Sequence, residues 1–168
     1  MATTGELQGF VDYLAEMPAT LQRLVEGLTD EDWRRRAPGA EFSVLENICH
    51  LLDIEREGYA VRIERLLKED SPVLPDIDGG RLARERDYNN QNIETALEAF
   101  RREREGNISV LKSLSSDQLE RRGTLEAVGP ITLSELLRMM RAHDDAHRRE
   151  IKELRNHFSG RRQESPSK

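Results

Sequence analysis

The stretch ITLSELLRMMRAHDDAHRREI, residues 131–151, combines a helix-capping pattern with apolar residues at helical spacing. Thr132 is followed three residues later by Glu135, the sequence of a capping box, which predicts that a helix begins here. At about 100° per residue, the apolar side chains fall on one arc and most charged side chains on the opposite arc. The stretch therefore predicts an amphipathic helix that extends to about Phe158 and packs one face in a helical core.

Two histidines, His143 and His147, lie four residues apart in this predicted helix. Four residues rotate by about 40° beyond a full turn and rise by about 6 Å, so both side chains lie on one face. His147 falls within the apolar arc, and both histidines are predicted to point inward. Such a pair can bind one metal ion, or each histidine can be a core residue that bonds to a neighbouring carboxylate or carbonyl. The spacing alone leaves both interpretations open.

Three further segments have apolar residues at helical spacing, which predicts an all-α four-helix bundle. The first helix is predicted over about residues 5–27, with a kink or restart at Pro18. The second covers about residues 43–69 and begins with another capping box, Ser43 with Glu46. The third covers about residues 82–114.

The connections between these helices are predicted from capping and turn residues. Thr29 or Asp30 can cap a short turn that holds Trp33. The segment DSPVLPDIDGG, residues 70–80, is rich in proline, glycine and aspartate and is long enough to cross one end of a bundle. We predict one domain over residues 1–158, followed by a disordered polar tail, residues 159–168.

Composition excludes several classes of function. Charged residues make up 35% of the chain, but the net charge is −6, which argues against a partner bound by neutralising nucleic-acid phosphates. No segment has the apolar length of a membrane span or the pattern of a secretory signal. The single cysteine cannot form an internal disulfide, which fits a reducing compartment. We therefore expect a soluble cytoplasmic protein that binds neither nucleic acid nor membranes.

A metal site would need a third ligand from outside the HxxxH pair, and the other two histidines are the candidates. His157 lies near the end of the fourth helix, where it is more simply explained by interaction with the helix C-terminus. His50 lies about 140° from Leu45, which belongs to the main apolar stripe of the second helix. Periodicity therefore permits His50 to face the fourth helix but does not require it.

Other polar side chains near these positions are candidates for supporting roles. Asp144 falls at the edge of the apolar arc and can orient a histidine or act as a catalytic base; the alternative is a boundary carboxylate paired with an arginine. Glu46 and Glu57 lie within about 40° of His50 on the helix and are candidates to contact it. Cys49 is rotated onto the main apolar stripe, so we interpret it as a core residue.

Two metal-binding motifs of other classes do not fit. The stretch HDDAH is similar to the HExxH motif of metalloproteases, but Asp144 is one methylene shorter than glutamate, and Glu164, the acid near the usual third-ligand distance, lies in the polar tail. A di-iron carboxylate bundle needs Glu-x-x-His pairs on two helices. Here Glu150 follows His147 instead of preceding it, and ENICH has the wrong spacing.

EFSVLENICHLLDIE, residues 41–55, and residues 131–151 resemble the two signature regions of the DinB-like (damage-inducible, YfiT-related) family, and nearly the whole chain fits. The resemblance implies an up-down four-helix bundle with a long second-to-third connection, often a homodimer, and a metal bound by three histidines. These carry over to His50, His143 and His147. Phe42 replaces the tryptophan of many relatives, which we expect to affect packing more than ligation.

The resemblance also implies a chemistry. The family metal is usually zinc or nickel, and three histidines leave a fourth coordination position for water or substrate. Hydrolysis and thiol transfer are both open to such a site, and known relatives include transferases that use low-molecular-weight thiols. We therefore expect a metal-dependent thiol S-transferase or hydrolase. The alternative is a non-catalytic, dimeric metal-binding protein in which the ion is structural and fastens the second helix to the fourth.

Overall fold

The computed structural model describes residues 4–163. Its elements, in chain order, are α1 (Thr4–Val25), α2 (Asp30–Arg34), α3 (Val44–Asp53), a π-helical turn (Ile54–Tyr59), α4 (Ala60–Lys68), β1 (Val73–Leu74), α5 (Gly79–Glu85), a 3-10 turn (Tyr88–Asn90), α6 (Ile93–Lys112), α7 (Ser116–Leu119), β2 (Arg122–Leu125), β3 (Gly129–Thr132) and α8 (Leu133–Gln163). No helix in this part of the chain is long and apolar enough to cross a membrane.

Four long helical segments form the bundle. The first, third and fourth are α1, α6 and α8, and the second consists of α3, the π-helical turn and α4 in succession. The predicted four-helix bundle is confirmed. Helix α1 packs mainly on α6 and α8, and α3 packs mainly on the same two helices, so α1 and α3 lie diagonally opposite each other. In the simplest up-down bundle, helices consecutive in sequence are neighbours. Here the long segment between α1 and α3, which contains α2, allows the chain to cross the bundle.

The two helices that carry the histidines begin at the predicted capping residues. Before α3, the Ser43 hydroxyl accepts a hydrogen bond from the Glu46 amide at 3.1 Å, and the Glu46 carboxylate accepts one from the Ser43 amide at 2.7 Å. Before α8, Thr132 and Glu135 form the same pair of bonds at 3.1 and 2.7 Å. Thr29 caps the short helix that holds Trp33, also as predicted. Local hydrogen bonds therefore set where both helices start.

The predicted bounds of the third and fourth helices differ from those observed. The prediction that the third helix begins near Leu82 is wrong, because α6 begins at Ile93 and Asn92 caps it by accepting from the Thr95 amide at 2.8 Å. Leu82 belongs to the short helix α5, whose apolar residues pack against the same core. Helix α8 continues to Gln163, past the predicted end, and residues 164–168 of the predicted tail lie outside the described residues.

A three-stranded sheet, which was not predicted, joins the long connection to the start of α8. Strand β1 is parallel to β2, and β2 is antiparallel to β3. Leu74, Leu125 and Ile131 point from these strands into the core. Because Thr132 both ends β3 and caps α8, the sheet also positions the first turn of the fourth helix.

The core consists of two apolar clusters separated by a polar layer. Along each helix of the bundle, the buried apolar residues of one half belong to one cluster and those of the other half to the second cluster. The change falls, for example, between Leu14 and Met17 on α1 and between Met140 and Ile151 on α8. The buried charged residue Arg104 lies between the two clusters on α6, and the two histidines of α8 lie between them on that helix. The polar residues of the bundle are therefore concentrated at its middle, where the site described next is found.

Candidate metal centre

His50 from α3 meets His143 and His147 from α8 at the middle of the bundle. One ring nitrogen from each lies within 4.8 Å of the others, and the Nε2 atoms of His50 and His143 are 3.1 Å apart. Four nitrogens arranged tetrahedrally at about 2.0 to 2.1 Å from a zinc ion would lie about 3.3 Å from one another. The three side chains therefore have the chemistry and the approximate spacing that a divalent cation needs.

The π-helical turn between α3 and α4 brings a second aromatic residue to the same side of the bundle as His50. The rings of His50 and Tyr59 lie 5.2 and 5.9 Å, centroid to centroid, from the ring of His143. In an uninterrupted α-helix, two residues with this separation would point about 180° apart. The extra residue of a π turn removes about 100° of rotation, so both rings face α8.

Burial keeps the three histidines neutral at pH 7. It is the largest of the causes that together lower the pKa of His143 to about 2, and electrostatic repulsion by His147 and His50 comes next. Burial also lowers the pKa of His50 to about 4, against the opposing effect of Asp53, and the pKa of His147 to about 4. Neutral imidazole is the form that binds metal ions.

Asn47 orients His147. The Nδ1 atom of His147 lies 2.7 Å from Oδ1 of Asn47, while Nδ2 of Asn47 donates to the Ser43 carbonyl at 2.9 Å. Because the second bond makes Oδ1 the free acceptor, Nδ1 of His147 must carry the proton. Nε2 is then the nitrogen with the lone pair, as in metal sites where a hydrogen bond to the other ring nitrogen sets the tautomer.

We expect Asn47→Leu to weaken zinc binding by roughly 10 to 100-fold, because the Nδ1 proton of His147 loses its acceptor. Competition with a chromophoric chelator measures the affinity. Asn47→Asp, which keeps an acceptor oxygen at the same position, is the control and should bind zinc much more tightly than Asn47→Leu. Equal affinities for Asn47→Leu and the unaltered protein would show that the hydrogen bond does not support ligation.

The ring of His50 is enclosed by two neighbours. The ring of Phe42 lies 5.3 Å away, centroid to centroid. The main chain at Gly79 also passes close to this ring, and a Cβ atom there would lie 2.6 Å from Nδ1 of His50. Only glycine permits such a close approach of the main chain. The long connection therefore covers His50, and Phe42 packs directly against it.

Asp144 lies next to His143 in sequence but does not bond to the histidines. Its carboxylate is fully buried and accepts hydrogen bonds from Arg104 at 2.7 and 3.0 Å. Burial is the largest effect on its carboxyl and raises its pKa. Asp144 is therefore paired with an arginine. Such a pair is the predicted alternative to a catalytic or orienting role.

The other candidates also have structural partners. Glu46 bonds to the Ser43 amide and to Arg36, and Glu57 bonds to Arg86 at 2.7 Å. The Cys49 thiol is buried, and burial raises its pKa to about 12. The ring of His157 packs against Phe158, and this histidine does not belong to the cluster.

A buried ion network, which sequence reasoning missed, lies beside the histidines. Arg104 is 1% exposed, donates to Glu55 at 2.8 and 2.9 Å as well as to Asp144, and bonds to the Leu14 carbonyl at 2.9 Å. Asn107 adds a further hydrogen bond to Glu55 at 2.8 Å. The network connects α1, the π-helical turn, α6 and α8 through one guanidinium.

The lowered pKa values predict how the metal-free protein responds to acid. The unfolded chain binds protons at its histidines below about pH 6.5, whereas the folded cluster resists them until about pH 4. Stability is therefore complete above pH 6.5 and falls toward pH 4, by on the order of 2 kcal/mol per histidine at pH 5. Urea unfolding in a chelator at pH 7.5 and pH 5 measures this loss. His147→Gln should reduce it, and a pH-independent midpoint would contradict the prediction.

The fold and the site together place the protein among four-helix bundles that have a candidate metal centre. In this one, three neutral histidines converge from two facing helices. The DinB superfamily profile matches residues 13–151, and the chain belongs to this superfamily. The fold is similar to that of YfiT from Bacillus subtilis, described as a probable metal-dependent hydrolase with an unusual four-helix bundle topology. The TM-score is 0.87 at 22% identity, over 95% of this chain and 91% of that one. No curated protein matches the sequence significantly.

Proposed function

We propose that the protein binds one divalent cation, zinc or nickel, through His50, His143 and His147 and uses it in hydrolysis or in thiol transfer. The observation that carries this proposal is the convergence of three neutral imidazoles whose ring nitrogens lie within 4.8 Å of one another. The description of YfiT as a probable metal-dependent hydrolase supports hydrolysis as the first reaction to test. Imidazole suits both metals, so the ligand type does not choose between them.

A divalent cation with three protein ligands supplies a Lewis acid and lowers the pKa of a bound water or thiol. Residues of the chain set the charge, the tautomer and the exposure of the histidines that would bind this cation. Burial keeps the histidines uncharged at neutral pH, and Asn47 keeps the single ring proton of His147 on Nδ1. Phe42 and the main chain at Gly79 shield the ring of His50.

The reaction class is tested with zinc-loaded and nickel-loaded protein. One set of assays supplies ester and amide substrates in water, and a second supplies electrophiles together with cellular thiols. Turnover in water alone supports a hydrolase, and turnover that requires the thiol supports an S-transferase. Chelator-treated protein and His143→Ala are the controls, and both should be inactive.

The same assays decide the alternative in which the ion is structural. His50 on α3 and His143 on α8 are 93 residues apart in sequence, so an ion bound by both would fasten α3 to α8. Metal that raises the unfolding temperature without any metal-dependent turnover in either set of assays would contradict the enzyme proposal and support this alternative.

A low-molecular-weight thiol co-substrate and a homodimer are further proposals, which the family resemblance supports. The chain has a mass of 19.3 kDa. Light scattering coupled to size-exclusion chromatography should therefore give twice this mass, and the mass of a single chain would refute the dimer.

A further inference from the structure

Arg62 on α4 is a buried arginine whose charge has no carboxylate partner. It is 6% exposed, and its Nε and Nη2 atoms donate to the Pro75 carbonyl at 3.2 and 2.9 Å. Within residues 4–163, no carboxylate oxygen lies at salt-bridge distance from it. Burial lowers its pKa, against the opposing effects of Tyr59 and of the exposed Asp76. Arg104, which is 1% exposed, bonds to two carboxylates instead.

A buried charge without a counter-ion is costly, because burial removes the water that would solvate it. Two of the three guanidinium nitrogens of Arg62 are engaged by one carbonyl. Its Nη1 atom donates no hydrogen bond to any residue that the structure describes. Arg62 thus has a charge without a carboxylate partner and a nitrogen, Nη1, that is free to donate.

Tyr59 lies three residues earlier and has the same unsatisfied character. It is 5% exposed, its ring lies 5.9 Å from the ring of His143, and the guanidinium carbon of Arg62 lies 5.8 Å from the centre of its ring. The hydroxyls of Tyr13 and Tyr88 donate to Asp145 and Asp53, but that of Tyr59 has no hydrogen-bond partner among the described residues. This hydroxyl is therefore free to donate to a bound group.

We propose that Tyr59 and Arg62 bind an oxyanion of the substrate, a carboxylate or phosphate group, beside the three-histidine cluster. This inference rests on the proposed function, since it names the substrate class of that site. A guanidinium and a phenol hydroxyl each donate to an oxyanion, and the guanidinium bond is charge-assisted. The bonds to the Pro75 carbonyl hold Arg62 in place, so little side-chain freedom is lost on binding.

The competing explanation is that Arg62 only anchors the long connection through Pro75. Arg65, on the same helix, provides a matched control, because it donates to the Val73 carbonyl of that connection at 2.7 Å. Its charge is already paired with Glu69 at 2.8 Å, and 34% of its side chain is exposed. If anchoring were the whole role, Arg62 and Arg65 would differ in their effect on stability but not on anion binding.

The test titrates full-length, chelator-treated protein with succinate, inorganic phosphate and the neutral analogue succinamide, followed by NMR chemical shifts. Omitting the metal ensures that no anion binds to the ion itself. We expect saturable binding of succinate or phosphate but not of succinamide, and the preferred anion identifies the group. Arg62→Gln should weaken binding by about tenfold or more, and Tyr59→Phe by a smaller factor. Arg65→Gln should bind as the unaltered protein does.

Three results would overturn the proposal: no saturable binding of either anion, unchanged affinity in both Arg62→Gln and Tyr59→Phe, or an equal loss in Arg65→Gln. If Arg62→Gln loses its helical circular dichroism, Tyr59→Phe, which keeps the ring, decides alone. Zinc stoichiometry is measured on the same samples. Normal zinc binding without anion binding overturns this inference alone, and anion binding without zinc binding overturns only the metal centre.

Discussion

His147→Ala is expected to abolish stoichiometric binding of zinc or nickel while leaving the helical content largely intact. The substitution removes one of three nitrogens that converge at the middle of the bundle. The loss should exceed the roughly 10 to 100-fold that follows the removal of a supporting hydrogen bond. Metal content by elemental analysis after gel filtration, together with far-ultraviolet circular dichroism, measures both parts of this prediction.

His157→Ala is the matched control for this variant. His157 lies on the same helix but outside the cluster, where its ring packs against Phe158. This variant should keep the full metal content. The comparison separates the loss of a ligand from any general effect of removing a histidine from α8. Unchanged metal content in His147→Ala would refute the assignment of all three ligands.

Arg104→Leu is expected to lower the free energy of unfolding by roughly 3 to 5 kcal/mol, because Glu55 and Asp144 would remain buried without their counter-ion. For a domain of this size the unfolding temperature should fall by roughly 10 °C. Urea denaturation of the metal-free protein measures the change. Working without metal ensures that the result reports the ion network and not the neighbouring histidines.

Arg101→Leu provides the comparison on the same helix. Arg101 is exposed and pairs with Glu98 and Glu105 on the surface of α6. Such pairs contribute about 0 to 1 kcal/mol, so this variant should unfold nearly as the unaltered protein does. If the two variants differed by less than about 1 kcal/mol, the buried network would not stabilise the fold.

The features that sequence predicted well are those encoded within a few residues. Ser43 and Glu46, like Thr132 and Glu135, complete their bonds within three residues, so the starts of α3 and α8 follow from local pattern. That the α8 histidines share one face follows from helical geometry alone. His50 is different, because its approach to α8 depends on how the helices pack. Periodicity left it open, and the family resemblance supplied it.

The features that sequence missed depend on tertiary packing or on very short elements. Arg104 lies in the charged segment RREREGN, whose exposed members include arginines of the same residue type. Only the packing of the four helices shows that Arg104 is the buried arginine of this segment. The π-helical turn has no periodic signal of its own, yet it turns Tyr59 toward His143. Strand β1 has two residues and β2 has four, too few for an alternating pattern to be recognised.

The enclosure of His50 would affect the selectivity of the site for the divalent cation that we propose it binds. A ring that packs against Phe42 and lies close to the main chain at Gly79 has little rotational freedom to give up, so coordination by His50 would carry a small entropic cost. Three nitrogens in fixed positions favour ions whose radius and preferred bond angles match the gap between them. The packing around His50 would therefore set the position of one ligand before any ion binds.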